Sequence, residues 1–237
     1  MLYIDGFAEK AHRGLMQFAL DRKNDAEEFR RREAEFRDIY AYLDSIRPPI
    51  YPLAIDRKLA TQGERVFETV CAECHGTYGE LEAYPNRIVP IEDIGTDRAR
   101  HDALSVEHRK FYRRSWFSGY GKDRVVVDPG GYMAPPLDGI WASAPYLHNG
   151  SVPTLWHLLH PDERPTVWKR SENGYDEYHV GILVSTYNEL PHKVILGSQQ
   201  RQFFDTRKFG KSHVGHDYPE QLSEQERRQV LEYLKTL

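Results

Sequence analysis

Cys71-Ala72-Glu73-Cys74-His75 is the stretch whose residue types and spacing carry the most chemistry. Two thiols three residues apart lie on one helical turn, and the next side chain is an imidazole. The spacing Cys-x-x-Cys-His is the attachment signal for a c-type haem, with two thioethers to the porphyrin edge and the histidine on iron. A thioredoxin-like redox pair and half of a zinc site are the competing readings. The redox pair has no need of the histidine, and a thiolate zinc site wants more cysteines than the two this chain has. Because both sit in this motif, the expectation is one covalent haem c with its iron, held by Cys71, Cys74 and His75.

A motif of this kind needs a helix to deliver it. From Asp56 to Val70 the apolar residues Leu59, Val66, Phe67 and Val70 share a helical stripe with Gly63. A glycine on that stripe lets a second helix come close. The second helix is expected at the C-terminus: Ser223 and Glu226 form a capping box, and Val230, Tyr233, Leu234 and Leu237 follow at helical spacing. This pairing is the layout of the first and last helices of a cytochrome c domain. Upstream, Asn24-Asp25 caps an expected amphipathic helix from Ala26 to about Ser45, with Phe29, Phe36, Tyr40 and Leu43 on one face. Arg47-Pro48-Pro49 ends it. The expected organisation is therefore a helical segment over 1–50 and a c-type cytochrome domain over 51–237. Between the bracketing helices, a helix is expected around 104–115 and a strand around 180–184. Residues 161–221 otherwise read as loop and short extended pieces. The fold class expected is mainly α, with long loop insertions and little β.

Composition sets the outer limits. Of 237 residues 40% are hydrophobic and 29% charged, which is ordinary for a globular chain. A net charge of −4 offers no basic field for nucleic acid, and no apolar run is long enough to span a bilayer. Haem is attached to such motifs outside the cytoplasm, so a periplasmic or otherwise extracytoplasmic location is expected. Met1 to Gly6 shows no secretion signal, which favours this chain as the C-terminal part of a longer protein.

The second dense stretch runs Pro136-Leu137-Asp138-Gly139-Ile140-Trp141-Ala142-Ser143-Ala144-Pro145-Tyr146-Leu147-His148-Asn149-Gly150-Ser151-Val152-Pro153-Thr154-Leu155. It resembles the C-terminal haem domain of the bacterial dihaem cytochrome c peroxidase superfamily, nearest the branch of haem-dependent rubber oxygenases. Phe204-Asp205-Thr206 and Gly215-His216-Asp217-Tyr218 fit the same branch. The resemblance spans roughly residues 45–237. It implies that Trp141, Tyr146 and His148 line or buttress the haem pocket, with His148 beside the iron and not bonded to it.

Several candidates compete for iron's sixth position. Met133, in a Tyr-Met-Ala-Pro-Pro turn, lies at a distance from His75 typical of thioether ligands in small cytochromes, or else packs as a core methionine. In the peroxidases a Met or Tyr ligand follows the pocket histidine by 14 residues; here that position is Asp162, beside Pro161 and a poor iron ligand, so the ligand must come from elsewhere. In the rubber-oxygenase branch the ligand is a histidine from a Gly-His motif before the last helix, which Gly215-His216 matches. The resemblance thus favours His216 over Met133, with His160, His213 or an open site as alternatives. His12 reads as a surface or core residue, and His101, His108, His157, His179 and His192 read as surface histidines. Arg113, Arg114 and Lys122, near Trp116, read as propionate partners or plain surface charge. Asn149-Gly150-Ser151 matches a glycosylation acceptor inside a motif expected to be buried.

Single-electron transfer through a six-coordinate haem is the favoured function, with a redox protein or a second haem domain as partner. Half of a dihaem peroxidase or oxygenase is the alternative, and a haem-based ligand sensor a third. The family enzymes need a second, open haem, and this chain has one motif. A peroxidase would also need an acid/base group over that open face.

Overall fold

The computed structural model describes residues 26–80, 82–103, 105–107, 110, 114 and 130–237. In chain order its defined helices are α1 (Ala26–Arg31), α2 (Glu33–Ser45), α3 (Arg57–Val70), α4 (Ala72–His75), α5 (Ile91–Ile94), α6 (Ala99–Ala103), α7 (Leu155–Leu159), α8 (Gly197–Gln200) and α9 (Glu224–Leu234). The strands are β1 (Ile88–Pro90), β2 (Gly131–Met133), β3 (Val167–Asp176), β4 (Gly181–Tyr187) and β5 (Phe203–Asp205). The chain divides into two compact units: residues 1–47, 88–90 and 100–134, and residues 48–87, 91–99 and 135–237.

In the first unit the helix expected over 26–45 is interrupted at Arg32, giving α1 and α2. Its cap at Asn24-Asp25 lies outside the described residues, as does most of the helix expected around 104–115. β1 and β2 pair antiparallel, with Ile88 opposite Met133 and Val89 opposite Tyr132. The approach is close enough that a side chain at Gly131 would collide with the Val89 carbonyl, 1.9 Å from its Cβ position.

The second unit is built on the crossing of α3 and α9. Asp56 caps α3, accepting from the Lys58 and Leu59 amides. A Cβ on Gly63 would lie 1.9 Å from the Gln229 carbonyl oxygen, so only glycine permits this crossing. One turn on, fully buried Phe67 packs on the Tyr233 ring at 5.2 Å. The capping box at the start of α9 forms as its sequence requires: the Ser223 hydroxyl accepts from the Glu226 amide, and the Glu226 carboxylate accepts from the Ser223 amide. The same hydrophobic core takes in Leu137, Tyr146, Val152, Leu155 and Leu231.

The expectation of a mainly α-helical domain with little β does not hold. Helix makes up 40% and strand 16% of the structure, and the strands form two antiparallel sheets. The larger sheet, in the order β4-β3-β5, occupies the 161–221 segment expected to be mostly loop. Its signal is hidden because β3 reads Val-Trp-Lys-Arg-Ser-Glu-Asn-Gly-Tyr-Asp. Only its first two residues are apolar enough to be buried, and the register shifts between Arg170 and Tyr175, which breaks the two-residue alternation. Long-range contacts hold it instead. Trp168 stacks on Phe204 at 4.9 Å and donates from Nε1 to the Ser151 carbonyl. The strand expected near 180–184 is β4. This sheet anchors the 152–155 segment through hydrogen bonds from Leu155 N to Val180 O and from Ile182 N to Pro153 O. Its last strand, β5, feeds the chain into the 206–216 loop.

Candidate haem site

Cys71 closes α3, its amide donating to the Phe67 carbonyl, and the next four residues wind one further turn. The amides of Cys74 and His75 both reach back to the Cys71 carbonyl, at 3.1 and 3.0 Å. Gly76 then reverses the chain at φ 85°, where a Cβ would meet the Ala83 carbonyl at 2.3 Å. Both thiols and the imidazole are thus displayed from one turn with a fixed exit.

His75 is held at two points. Its Nδ1 lies 2.9 Å from the Pro135 carbonyl oxygen. A carbonyl only accepts, so Nδ1 carries the proton and Nε2 keeps its lone pair for a metal. This is the carbonyl-oriented imidazole typical of metal-ligating histidines. The His75 carbonyl in turn accepts from the Tyr78 hydroxyl, which itself accepts from the Leu137 amide at 2.6 Å. Tyr78 therefore ties the haem motif to the 135–137 segment. Nothing in its spacing marks it as important, because its second partner, Leu137, is 59 residues away.

His216 lies across from His75, with ring centroids 6.1 Å apart and ring planes at 67°. It sits in the left-handed region, φ 53°, a conformation costing a residue with a Cβ on the order of 1 kcal/mol. Its amide donates to Ile94 O at 2.7 Å, while Gly215 (φ 80°) is pressed so closely on Gly95 that a Cβ would lie 2.2 Å from that residue's carbonyl carbon. The Nδ1 atom of His216 is buried and makes no hydrogen bond within the protein. Burial, with His75 and Arg164 nearby, pushes the His216 pKa down to about 3. Burial also lowers that of His75, against the opposing bond to Pro135. Both rings are neutral at pH 7, the form that binds metal.

These residues fit a haem. With metal–nitrogen bonds of about 2 Å and about 1.1 Å from ring nitrogen to ring centre, two imidazoles sharing one ion stand roughly 6.2 Å apart between centroids. The cysteines fit as well. Burial and the neighbouring Cys74 raise the Cys71 pKa to about 12, and burial raises that of Cys74. A redox-active pair would need a depressed one. Among the described residues no group of three or more His, Cys, Asp or Glu side chains is arranged to hold a metal ion, so the zinc reading finds no further ligands.

The remaining candidates are placed as follows. Tyr146 is buried in the core, its hydroxyl donating to Ile140 O and its main chain bridging to Val152. Trp141 donates to Pro49 O and packs edge-on against Tyr51 and Tyr175. His148 is half-buried in the same loop. Met133 is buried in β2 of the first unit. His160 has both ring nitrogens engaged inside the fold, Nδ1 with Trp156 O and Nε2 with the Glu224 carboxylate, which leaves no nitrogen for iron. His213 is half-buried, with Nδ1 unpartnered within the protein. Asp162 is exposed.

Several histidines expected at the surface are half-buried. The His101 side chain is 14% exposed and bonded to Asp102, whereas His179 packs edge-on against Trp156 and His157 packs against His179. His192, at 96%, is at the surface. His12, His108, Arg113, Trp116 and Lys122 lie outside the described residues, and Arg114 is exposed. Asn149 spends its amide nitrogen on Ser212 O, joining its turn to the loop that carries His216. Arg164, under that same loop, is a further residue that spacing does not single out. A cavity of about 820 Å³ lined by residues such as Lys169, Tyr187 and Phe203 contains no part of the haem motif.

Residues 131–169 match the family described as RoxA-like, cytochrome c-like, which supports a haem-binding domain of the cytochrome type. The chain is 34% identical over 201 residues to the uncharacterised protein y4iM of Sinorhizobium fredii, covering 74% of this chain and 45% of that one. It is 31% identical over 260 residues to the uncharacterised protein y4iJ of the same organism, covering 81% of this chain and 41% of that one. The chain thus spans less than half the length of these relatives. Among the described residues no helix is long and apolar enough to cross a membrane.

Proposed function

We propose that this chain carries one covalent haem c and passes single electrons through it, outside the cytoplasm, to a redox partner protein or a second haem domain. The observation that carries the proposal is the pairing of His75, its Nδ1 committed to Pro135, with His216 at 6.1 Å. Cys71 and Cys74 would hold the haem through thioethers, and His75 and His216 would hold its iron. The haem, when bound, supplies one-electron exchange at iron. The protein's part is to keep both imidazoles neutral and in place. Tyr78 and Pro135 hold one ring, and the contacts of 215–216 with 94–95 hold the other, so little has to move as the charge changes. Two imidazoles favour a lower potential than a histidine–methionine pair. Trp141, Tyr146 and His148 buttress the loop beside the site.

The RoxA-like match favours a second reading. In it this domain is the relay half of a dihaem peroxidase or oxygenase whose other haem lies in another domain. The test is to mature the protein with the c-type haem machinery, measure haem per chain and add peroxide. One haem whose spectrum ignores peroxide agrees with the electron-transfer reading. A spectrum that changes on adding peroxide, with turnover of a reductant, would replace it with an enzyme.

A further inference from the structure

Arg164 is a buried cation whose donors all point at main chain. Its side chain is 2% exposed. Nη1 donates to His213 O and Gly215 O, both at 2.7 Å, and Nη2 to His216 O and Leu158 O, both at 3.4 Å. Nε donates to His157 O at 3.1 Å. Its carboxylate partner is Asp217 Oδ1, at 3.6 Å on a half-exposed side chain. A guanidinium stays charged in proteins and is costly to bury unless its donors are satisfied. Here that satisfaction comes largely from one loop: three of the five acceptors are the carbonyls of residues 213, 215 and 216.

That loop is the one that needs holding. Gly215 and His216 are consecutive left-handed residues at φ 80° and 53°, and such conformations persist only where surrounding contacts over-determine them. The other side of the loop is fixed by His216 N to Ile94 O. Arg164 closes the remaining side, tying the loop to the end of α7 through the His157 and Leu158 carbonyls. Its position just after the 161–163 turn makes it part of the rigid framework, not of the loop it grips.

We infer that Arg164 is the positioning residue for His216, fixing the distal imidazole opposite His75 by clamping the carbonyls on either side of it; this rests on the bis-histidine reading above. Arg164 touches no iron ligand atom, and its effect passes through the backbone.

The test uses Arg164→Met and Arg164→Lys in the haem-loaded protein. Both should keep covalent haem, since the thioether residues are elsewhere. The Met variant should lose the six-coordinate low-spin spectrum for a high-spin one, and added imidazole should restore it. The Lys variant, which keeps the charge and fewer donors, should fall between. Amide exchange across 213–216 should speed up by roughly ten-fold or more in either variant. A Met variant that folds and keeps the parental spectrum would overturn the assignment, as would a spectral loss that imidazole leaves unrepaired. If the Met variant does not fold, the Lys variant decides: parental exchange at 213–216 overturns, faster exchange with an imidazole-restored spectrum supports. Failure of the underlying reading looks different. A His216→Ala protein whose iron stays low-spin would remove His216 from the metal, and this role for Arg164 with it.

Discussion

The imidazoles of His75 and His216 stand 6.1 Å apart between ring centroids with their planes at 67°, although 140 residues separate them in sequence. One ring is set by a helix end and a proline carbonyl, the other by a left-handed loop seated on residues 94–95. Desolvation of the two rings holds the pKa of each below the usual histidine value.

Replacing both Cys71 and Cys74 by alanine should abolish covalent attachment. The haem stain of the protein on a denaturing gel should vanish, while either single variant keeps one thioether and a weaker stain. The double variant should also be less stable, because on the proposed reading the porphyrin would fill part of the interior. A double variant that unfolds like the parent would count against a buried haem.

His216→Met keeps a ligand at the same place but changes its character. A thioether favours ferrous iron, so the midpoint potential should rise by on the order of 100 mV or more. Potentiometric titration of parent and variant reads this directly. An unchanged potential would mean that His216 is not bound to the metal.

Tyr78→Phe removes one oxygen that serves two main-chain groups, the His75 carbonyl and the Leu137 amide. Leaving buried groups unpaired costs about 1–3 kcal/mol. Urea unfolding should show a loss of that size with an unchanged slope. A neutral result would mean that water replaces the hydroxyl.

Acid should weaken the fold through His157. Burial, then the neighbouring His179, lowers its pKa to about 4 from 6.5, partly offset by Glu163 and Asp176. The unfolded chain therefore binds this proton more tightly than the folded one. The stability is fully present above about pH 6.5 and declines as the pH falls toward 4, by up to about 3 kcal/mol from this group. A His157→Gln variant should show a flatter pH dependence of denaturant midpoint over that window. The same slope in parent and variant would assign the acid sensitivity elsewhere.

What the sequence makes legible is local. The Cys71–His75 turn follows from five adjacent residues, the capping box from Ser223 and Glu226, and the close crossing from Gly63. What it conceals depends on partners far away. β3 is polar along most of its length and is held by Trp168 against Phe204 and Ser151, so no alternation announces a sheet. Tyr78 acts on Leu137, and Arg164 on residues 213–216; neither stands out by spacing. Likewise, His160 passes for a free histidine until Glu224 and the Trp156 carbonyl are found on its two nitrogens. The partner of His75 came from resemblance in the Gly215-His216 motif, since no periodicity connects it to Cys71.

The central claim is that one iron sits between His75 and His216, and visible absorption of the matured protein, oxidised and reduced, tests it most directly. The account predicts a low-spin spectrum in both states, lacking the weak long-wavelength sulfur-to-iron band, with low-spin character lost in His216→Ala and kept in Met133→Ala. A parental protein that shows the sulfur band, and loses it in Met133→Ala, would contradict the account and give the sixth position to Met133.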